Sequence, residues 1–211
     1  MNAVEEMFKK TSHSAKVFAM CLDPEGGLPW FALVHTKRRE GAPRKPDKNG
    51  TPRKPYVRRE AWAVPGGTVE LADYKDTVED TDAYRNAAKR ELEREAGIIL
   101  PLESFLEKWA IHVPPIESDH FGSDYLETHC YLVVMKEMRQ DVPIIETDEV
   151  IEMSWFQLDK IPLPDAKKAR IATFSSHIKN LHVFFQKLQI RYEDADIWLK
   201  AFKSRFSSYL Y

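Results

Sequence analysis

The stretch of sequence that decides the fold covers residues 65–98 and reads PGGTVELADYKDTVEDTDAYRNAAKRELEREAGI. It begins with a Pro-Gly-Gly turn directly after residues 61–64, a short apolar segment that is typical of a β-strand. Residues 81–96 follow a helical pattern, and Gly97 stands at the usual stop position of a helix. The stretch therefore predicts a strand, a glycine turn and a helix in succession, which indicates a mixed α/β chain.

Two glutamates on this helix are candidates for a metal site. Glu91 and Glu95 are four residues apart and share one helix face, where two like charges repel each other unless a cation lies between them. Hard cations such as Mg²⁺ prefer carboxylate oxygens and share their remaining positions with substrate phosphates. From the spacing alone, ordinary surface ion pairs with Lys89, Arg90 or Arg94 are the simpler interpretation.

The second half of the stretch resembles the Nudix box. In that motif a glycine is followed by a glutamate and then by Arg-Glu-hydrophobic-any-Glu-Glu-any-Gly-hydrophobic. Six of the seven fixed or typed positions in this half match, and the segment reads Arg90-Glu91-Leu92-Glu93-Arg94-Glu95-Ala96-Gly97-Ile98. The resemblance covers about residues 15–160. It implies a Nudix-like α/β/α sandwich of the α/β (α+β) class with a mixed sheet.

Two departures from the Nudix box bear on activity. The family places its next acid six residues after the second glycine, whereas Asp82, which we take as that acid, follows Gly67 by fifteen, so about nine residues are inserted. In addition, the first of the paired glutamates is Arg94. Because Arg94 lies three residues after Glu91, it can pair with that carboxylate and neutralise the charge that a metal would otherwise meet.

The resemblance also implies a function and a ligand set. The function is metal-dependent hydrolysis of a diphosphate linkage in a nucleoside diphosphate derivative, which includes nucleotide sugars, dinucleotides and nucleoside triphosphates. The cofactor is Mg²⁺ (or Mn²⁺), held by Glu91, Glu95 and the carbonyl of Gly67. Arg90 would orient the carboxylates by a charged hydrogen bond. A catalytically weak or inactive Nudix-fold protein that binds a nucleotide for regulation is the alternative, and Arg94 is its main support.

The candidate catalytic residues are Glu95, Arg90 and Glu149. Family members often recruit a glutamate from the loop before a late strand, and Glu149, with Glu146 and Asp148, precedes the predicted strand at residues 150–156. Glu149 is our choice of base. A solvated acidic loop explains these three acids equally well.

Residues 37–60 form a basic segment with ten Lys or Arg, three acidic residues and four prolines. This composition predicts a long exposed loop. It precedes the strand that enters the glycine turn, so it can contact substrate phosphates or an RNA 5′ end, and a solvated loop without a ligand is the open alternative. The candidate substrate-binding residues are Arg38, Arg39, Arg59 and Glu70.

The remaining segments predict further strands and a helical extension. A hairpin is expected for residues 15–22 and 30–36, and further strands at 109–113, 127–134 and 150–156. An amphipathic helix is expected from Ile171 onward, followed by a second apolar stripe that ends at Leu210. We divide the chain into a Nudix-like domain at 1–164 and a C-terminal helical extension at 165–211, which packs on the domain or forms a homodimer interface.

The composition limits the classes of partner. The net charge is −2 and the pI is about 6.4, which disfavours nucleic acid as a partner without excluding it. The sequence has neither a signal peptide nor a segment of about 18 apolar residues, so we expect a cytoplasmic protein that does not bind membranes. Cys21 and Cys130 lie in apolar runs and are expected to be reduced core residues. The histidines at 112, 120 and 129 show no spacing typical of metal ligands.

Overall fold

A computed structural model describes residues 11–37, 46, 51–52, 60–75, 77, 80–117, 125–144, 149–163, 172–173 and 175–210. Within these ranges four strands precede the first α-helix, four strands follow it, and two α-helices come last. The elements are β1 (Thr11–Cys21), β2 (Trp30–Lys37), β3 (Glu60–Ala63), β4 (Gly66–Thr68), α1 (Asp80–Ala96), β5 (Ala110–Glu117), β6 (Tyr125–Met135), β7 (Val150–Gln157), β8 (Ala172–Thr173), α2 (Ser175–Leu188) and α3 (Ala195–Phe206).

The strands form one mixed sheet in the order β5-β6-β1-β2-β3-β8, while β4 pairs with β1 and β7 pairs with β2. β1 and β6 run parallel over eleven residue pairs. The predicted hairpin of β1 and β2 is confined to the pairs Met20–Phe31 and Cys21–Trp30. Away from these two pairs the strands diverge, because β1 pairs with β4 while β2 pairs with β3 and β7.

Helices cover both faces of this sheet, and the period-2 alternation of β1 shows why. Ala15 and Val17 contribute to one apolar cluster together with the Ala87 face of α1. Phe18 and Met20 point the other way, into a second cluster that includes apolar residues of α2 and α3. Small side chains on the first face let α1 approach closely. The predicted α/β/α sandwich with a mixed sheet is confirmed.

Two predicted element boundaries are wrong, and one strand is missing from the prediction. The C-terminal helix begins at Ser175 rather than near Ile171, since Ala172–Thr173 is a strand that pairs with β3. β5 continues to Glu117, beyond residue 113 where the predicted strand ends. The three-residue strand β4, which includes both glycines of the turn, was not predicted.

The C-terminal helices share their core with the sheet. Phe184, Phe185, Phe202 and Phe206 are fully buried in the cluster that contains Phe18 of β1. Cys21 and Cys130 are both buried and free, as expected. Among the residues placed by the structure, no helix is long and apolar enough to span a bilayer.

Candidate active site

Glu91 and Glu95 lie at the interface between α1 and the glycine turn. Their residue exposures are 2% and 5%, so the carboxylates are not surface groups. The Gly66 N–H donates a hydrogen bond of 2.8 Å to Glu95 Oε2. At Gly67 a Cβ atom would lie 2.5 Å from Glu91 Oε1, so only glycine lets the turn approach this carboxylate. The i, i+4 spacing and the turn together bring both carboxylates to one place.

Arg90 lies near the C-terminal end of α1 and connects this helix by hydrogen bonds to the segment that follows the two glycines. Its Nε and Nη2 atoms donate to the two carboxylate oxygens of Asp73 at 3.1 and 2.8 Å, and Nη2 also donates to the Thr68 carbonyl at 2.9 Å. Nη1 donates to Glu91 Oε1. Burial raises the pKa of Asp73, but the hydrogen bonds from Arg90 and the Glu70 N–H outweigh this and hold it below its usual value.

The acid that belongs to the glycine turn is therefore Asp73 rather than Asp82. Asp82 lies 3.1 Å from Arg85 on its own helix, and Asp73 is the partner of Arg90. Asp73 follows Gly67 by six residues, which is the family's own spacing, so the insertion falls after this acid.

Arg94 occupies the space between the two buried glutamates. Its Nε donates to Glu91 Oε2 at 2.9 Å, and its Nη2 contacts both that oxygen and, at 3.1 Å, Glu95 Oε1. The expected pairing of Arg94 with Glu91 is thus present, and it extends to Glu95. The Arg94 side chain is 41% exposed, whereas those of the glutamates are 3% and 7% exposed.

Glu95 has the most perturbed carboxyl group of this site. Burial raises the pKa of Glu95 to about 7, with the charges of Glu91 and Glu149 acting in the same direction, while the Gly66 N–H and Arg94 oppose the rise. Glu149 precedes β7, and its charge acts on Arg94 as well as on Glu95.

From the opposite face of the sheet, α2 supports the strand that enters the turn. The Val64 N–H donates to His177 Nδ1 at 3.2 Å, and Lys16 Nζ lies 3.0 Å from His177 Nε2. Complete burial, with the Lys16 charge, holds the pKa of His177 well below its usual value. The backbone leading into the glycine turn is thus fixed from both sides.

The sequence of this chain matches one known family of domains. The family model of the NUDIX domain matches residues 15–177, which is more than half of the chain. The chain belongs to the Nudix family. Its Nudix helix is α1, and its Nudix box joins the glycine turn, Asp73 and residues 90–98, which run from α1 into the segment after its end.

Two solved structures are similar to this chain. A MutT/nudix family protein from Enterococcus faecalis superposes with a TM-score of 0.51 at 18% identity, over 91% of this chain and 67% of that one. An Ap4A hydrolase from C. elegans, in a binary complex, has a TM-score of 0.44 at 14% identity over 93% and 98% of the two chains. A search of curated proteins finds no match.

Of the other candidate residues in this Nudix chain, one lies within the described residues and the rest lie outside them. Glu70 lies at the mouth of the site, 60% exposed, with an oxygen 3.5 Å from Arg90 Nη1. Arg38, Arg39 and Arg59 lie outside the described residues, as do Glu146, Asp148 and His120.

One group of side chains was missed. The structure brings His112 and His129 together with Glu127, although the spacing of these histidines in the sequence does not indicate a metal site. The only available signal was Glu127-x-His129 on one predicted strand, which places both side chains on the same face. His112 joins them because β5 pairs with β6, and the spacing of residues along the sequence does not predict which strands pair.

Proposed function

We propose that this Nudix protein is a divalent-metal-dependent hydrolase that cleaves a diphosphate linkage in a nucleoside diphosphate derivative. One observation carries the proposal: the buried carboxylates of Glu91 and Glu95 converge on the Gly66-Gly67 turn. Two buried carboxylates are costly to keep charged unless cations neutralise them, and a divalent ion does this while also binding phosphate oxygens.

The donor atoms of the site fit Mg²⁺ or Mn²⁺. Carboxylate oxygens of Glu91 and Glu95 and the main-chain carbonyl of Gly67 are the hard ligands that these ions prefer. Arg94 is the competitor, since it contacts one oxygen of each glutamate. Because its side chain is 41% exposed, it can turn outward and leave these oxygens to an ion. We therefore propose that one metal ion binds in exchange for the Arg94 guanidinium.

A bound divalent ion would neutralise phosphate charge and make a coordinated water more acidic. The protein's own residues hold and move the protons. Arg90 fixes the Glu91 carboxylate by donating to it while Asp73 anchors the guanidinium. Glu149, an exposed carboxylate whose charge reaches Glu95, is the proposed acceptor of the proton from the water that attacks phosphorus.

The substrate proposal rests on the basic composition of residues 37–60. Arg38, Arg39 and Arg59 are proposed to contact substrate phosphates, because planar guanidinium groups bind phosphate oxygens in pairs. The panel of test compounds includes Ap4A, which is a dinucleotide, and ADP-ribose. Nucleoside-diphosphate sugars, NADH and nucleoside triphosphates complete it.

A second candidate is a nucleotide-binding regulatory protein in which Arg94 permanently replaces the metal. The contacts of Arg94 with both buried glutamates favour it, since an internal cation removes the need for an external one. In that case ligand binding is retained without turnover. A homodimer through α2 and α3 is a further proposal for this class, and sedimentation velocity tests it directly.

The first experiment measures phosphate or nucleotide release from the panel with Mg²⁺ or Mn²⁺, using wild type and Glu95→Gln. For the hydrolase we expect wild-type turnover that falls by at least about 100-fold in Glu95→Gln, because a metal ligand and a charge are lost. Glu93→Gln is the matched control on the same helix: Glu93 is paired with Lys89 at 3.7 Å, outside the site, and activity should be unchanged.

Arg94→Glu tests whether Arg94 occupies the metal site, and the turnover of wild type separates the two candidates. If Arg94 merely competes with the metal, this variant should bind Mg²⁺ on the order of 100-fold more tightly, since a cation is replaced by a ligand, and should keep or gain turnover. Isothermal titration of Mg²⁺ measures this. Wild type that binds nucleotides but hydrolyses none, together with Arg94→Glu that gains Mg²⁺ binding and turnover, would establish the regulatory protein.

A further inference from the structure

Three side chains with metal-ligating atoms meet on the face of the sheet that α1 covers, at a distance from Glu91 and Glu95. The ligating atoms of His112, Glu127 and His129 all lie within 4.8 Å of one another. His112 Nε2 is 2.6 Å from Glu127 Oε1, and His129 Nε2 is 3.5 Å from the same oxygen. The two imidazole rings have centroids 4.6 Å apart. This group is named the histidine cluster below.

Strand pairing holds the histidine cluster in place. His112 of β5 and His129 of β6 are direct antiparallel partners, so their side chains emerge on the same side of the sheet. Glu127 precedes His129 by two residues on β6 and therefore points to that side too. Positions on regular strands are more rigid than positions on loops, so the three donors are brought together before any ligand arrives.

We propose that the histidine cluster is a binding site for Zn²⁺ or a similar transition-metal ion, separate from the Glu91 and Glu95 site. Two imidazole nitrogens and one carboxylate oxygen form a borderline donor set that suits Zn²⁺, whereas Mg²⁺ prefers oxygen ligands alone. Tetrahedral bonds of about 2.0–2.2 Å place ligand atoms roughly 3.3–3.6 Å apart. The observed separations bracket this range, so small side-chain rotations complete the site.

The surroundings orient two of the three ligands. The His129 ring stacks on the Tyr84 ring of α1, with centroids 3.7 Å apart and planes inclined by 16°. The Tyr84 hydroxyl in turn contacts His13 Nδ1, which lies 3.5 Å from Glu127 Oε2. Such outer contacts fix the orientation of ligands in metal sites. His112 is the outermost ligand, with a side chain that is 54% exposed, so an ion can enter from solvent.

The histidine cluster is distinct from the candidate active site. Tyr84 precedes Glu91 by seven residues along α1, which is about 10 Å at 1.5 Å per residue. The donor atoms differ as well, because the Glu91 and Glu95 site offers oxygen and the histidine cluster offers mainly nitrogen. A metal-binding assay can therefore separate the two without reference to hydrolysis.

The test measures Zn²⁺ affinity by competition with a chromophoric chelator, in the presence of excess Mg²⁺, for the full chain. We expect one Zn²⁺ site in wild type that remains in Glu95→Gln. His112→Asn should weaken it by more than the roughly 10–100-fold that loss of an outer-sphere partner costs. His112 is half-exposed, so this variant should fold, and Glu127→Gln supplies an independent second loss of a ligand.

His182→Asn is the matched control, since it removes an imidazole that stacks on Phe202 in the C-terminal helices and should leave Zn²⁺ binding unchanged. Co²⁺ provides a spectroscopic readout, because its visible bands are more intense in a four-coordinate site than in a six-coordinate one. Wild type that takes up no Zn²⁺, or Zn²⁺ that is retained in His112→Asn and lost in Glu95→Gln, would overturn the proposal.

Discussion

The two ends of the Nudix helix face two groups of charged and titratable side chains with different chemistry. Near its C-terminal end, Glu91 and Glu95 are nearly fully buried oxygen donors that already contact a cation, Arg94. Near its N-terminal end, Tyr84 stacks on His129 of the histidine cluster, where nitrogen donors surround one carboxylate. The first group offers oxygen donors and the second offers mainly nitrogen donors, so they should differ in their response to pH and in the metal ion that they bind.

The pH dependence of folding should show the largest contrast between the two groups. The pKa of Glu95 is raised to about 7, above its unfolded value of 4.5, so the folded state holds this proton more tightly. The resulting stability is fully present below about pH 4.5 and is lost as the pH rises through 7. At 1.36 kcal/mol per pKa unit the loss is about 3 kcal/mol in the metal-free protein.

Urea unfolding in a chelator, from pH 4.5 to 8, measures this for wild type and Glu95→Gln, whose amide does not titrate. Wild type should lose stability relative to the variant as the pH rises. Burial, with the charge of His112, lowers the pKa of His129, so its contribution has the opposite sign and is lost as the pH falls below about 6.5. If the free energies of unfolding of wild type and Glu95→Gln change in parallel with pH, Glu95 does not make the expected contribution and the contrast between the two groups fails.

Asp73 and Asp82 provide a second, smaller test, because they decide which acid anchors the oxygen site. Asp73→Asn removes the charge from a buried carboxylate that Arg90 binds through two hydrogen bonds. Breaking a buried ion pair costs about 3–5 kcal/mol, and the partial exposure of Arg90 reduces the expected loss to about 2 kcal/mol. The free energy of unfolding in urea measures it.

Asp82→Asn is the matched control, since Asp82 pairs with Arg85 where both side chains are partly exposed. Such a pair contributes roughly 0–1 kcal/mol. Equal losses for the two variants would contradict the assignment of Asp73 to the Nudix box, and a larger loss for Asp82→Asn would restore the original choice.

The two groups also differ in how far the sequence could predict them, because one is formed by residues close in sequence and the other by residues on different strands. Glu91 and Glu95 are joined by helix periodicity, and Gly97 ends the helix with a positive φ of 66°, so a short stretch contained the needed information. Asp73 carried the right spacing from Gly67, but the inserted residues separated it from the helix and hid the match. The pairing of Arg94 with Glu91 was foreseen for the same local reason.

Contacts between distant strands were not predictable in this way. His112 meets His129 only because β5 and β6 pair in a particular register, and a shift of one residue would send each side chain to the opposite face. The short pairing of β1 with β2 has the same origin, since β4, β6 and β7 compete for the edges of these strands. Local pattern predicted most of the elements, the resemblance to the Nudix family implied the sandwich, and non-local pairing determined which side chains meet.

Tyr84→Phe gives the smallest expected effect and tests how far the two groups are coupled through α1. The variant keeps the ring that stacks on His129 and removes the hydroxyl that contacts His13. Because this contact is one step away from the proposed ligands, Zn²⁺ affinity should fall by about tenfold, the lower end of the range for outer-sphere partners. Mg²⁺ affinity at Glu91 and Glu95, measured by titration calorimetry on the same sample, should not change. If Mg²⁺ affinity falls together with that for Zn²⁺, the helix couples the two groups, and the separation drawn between them fails.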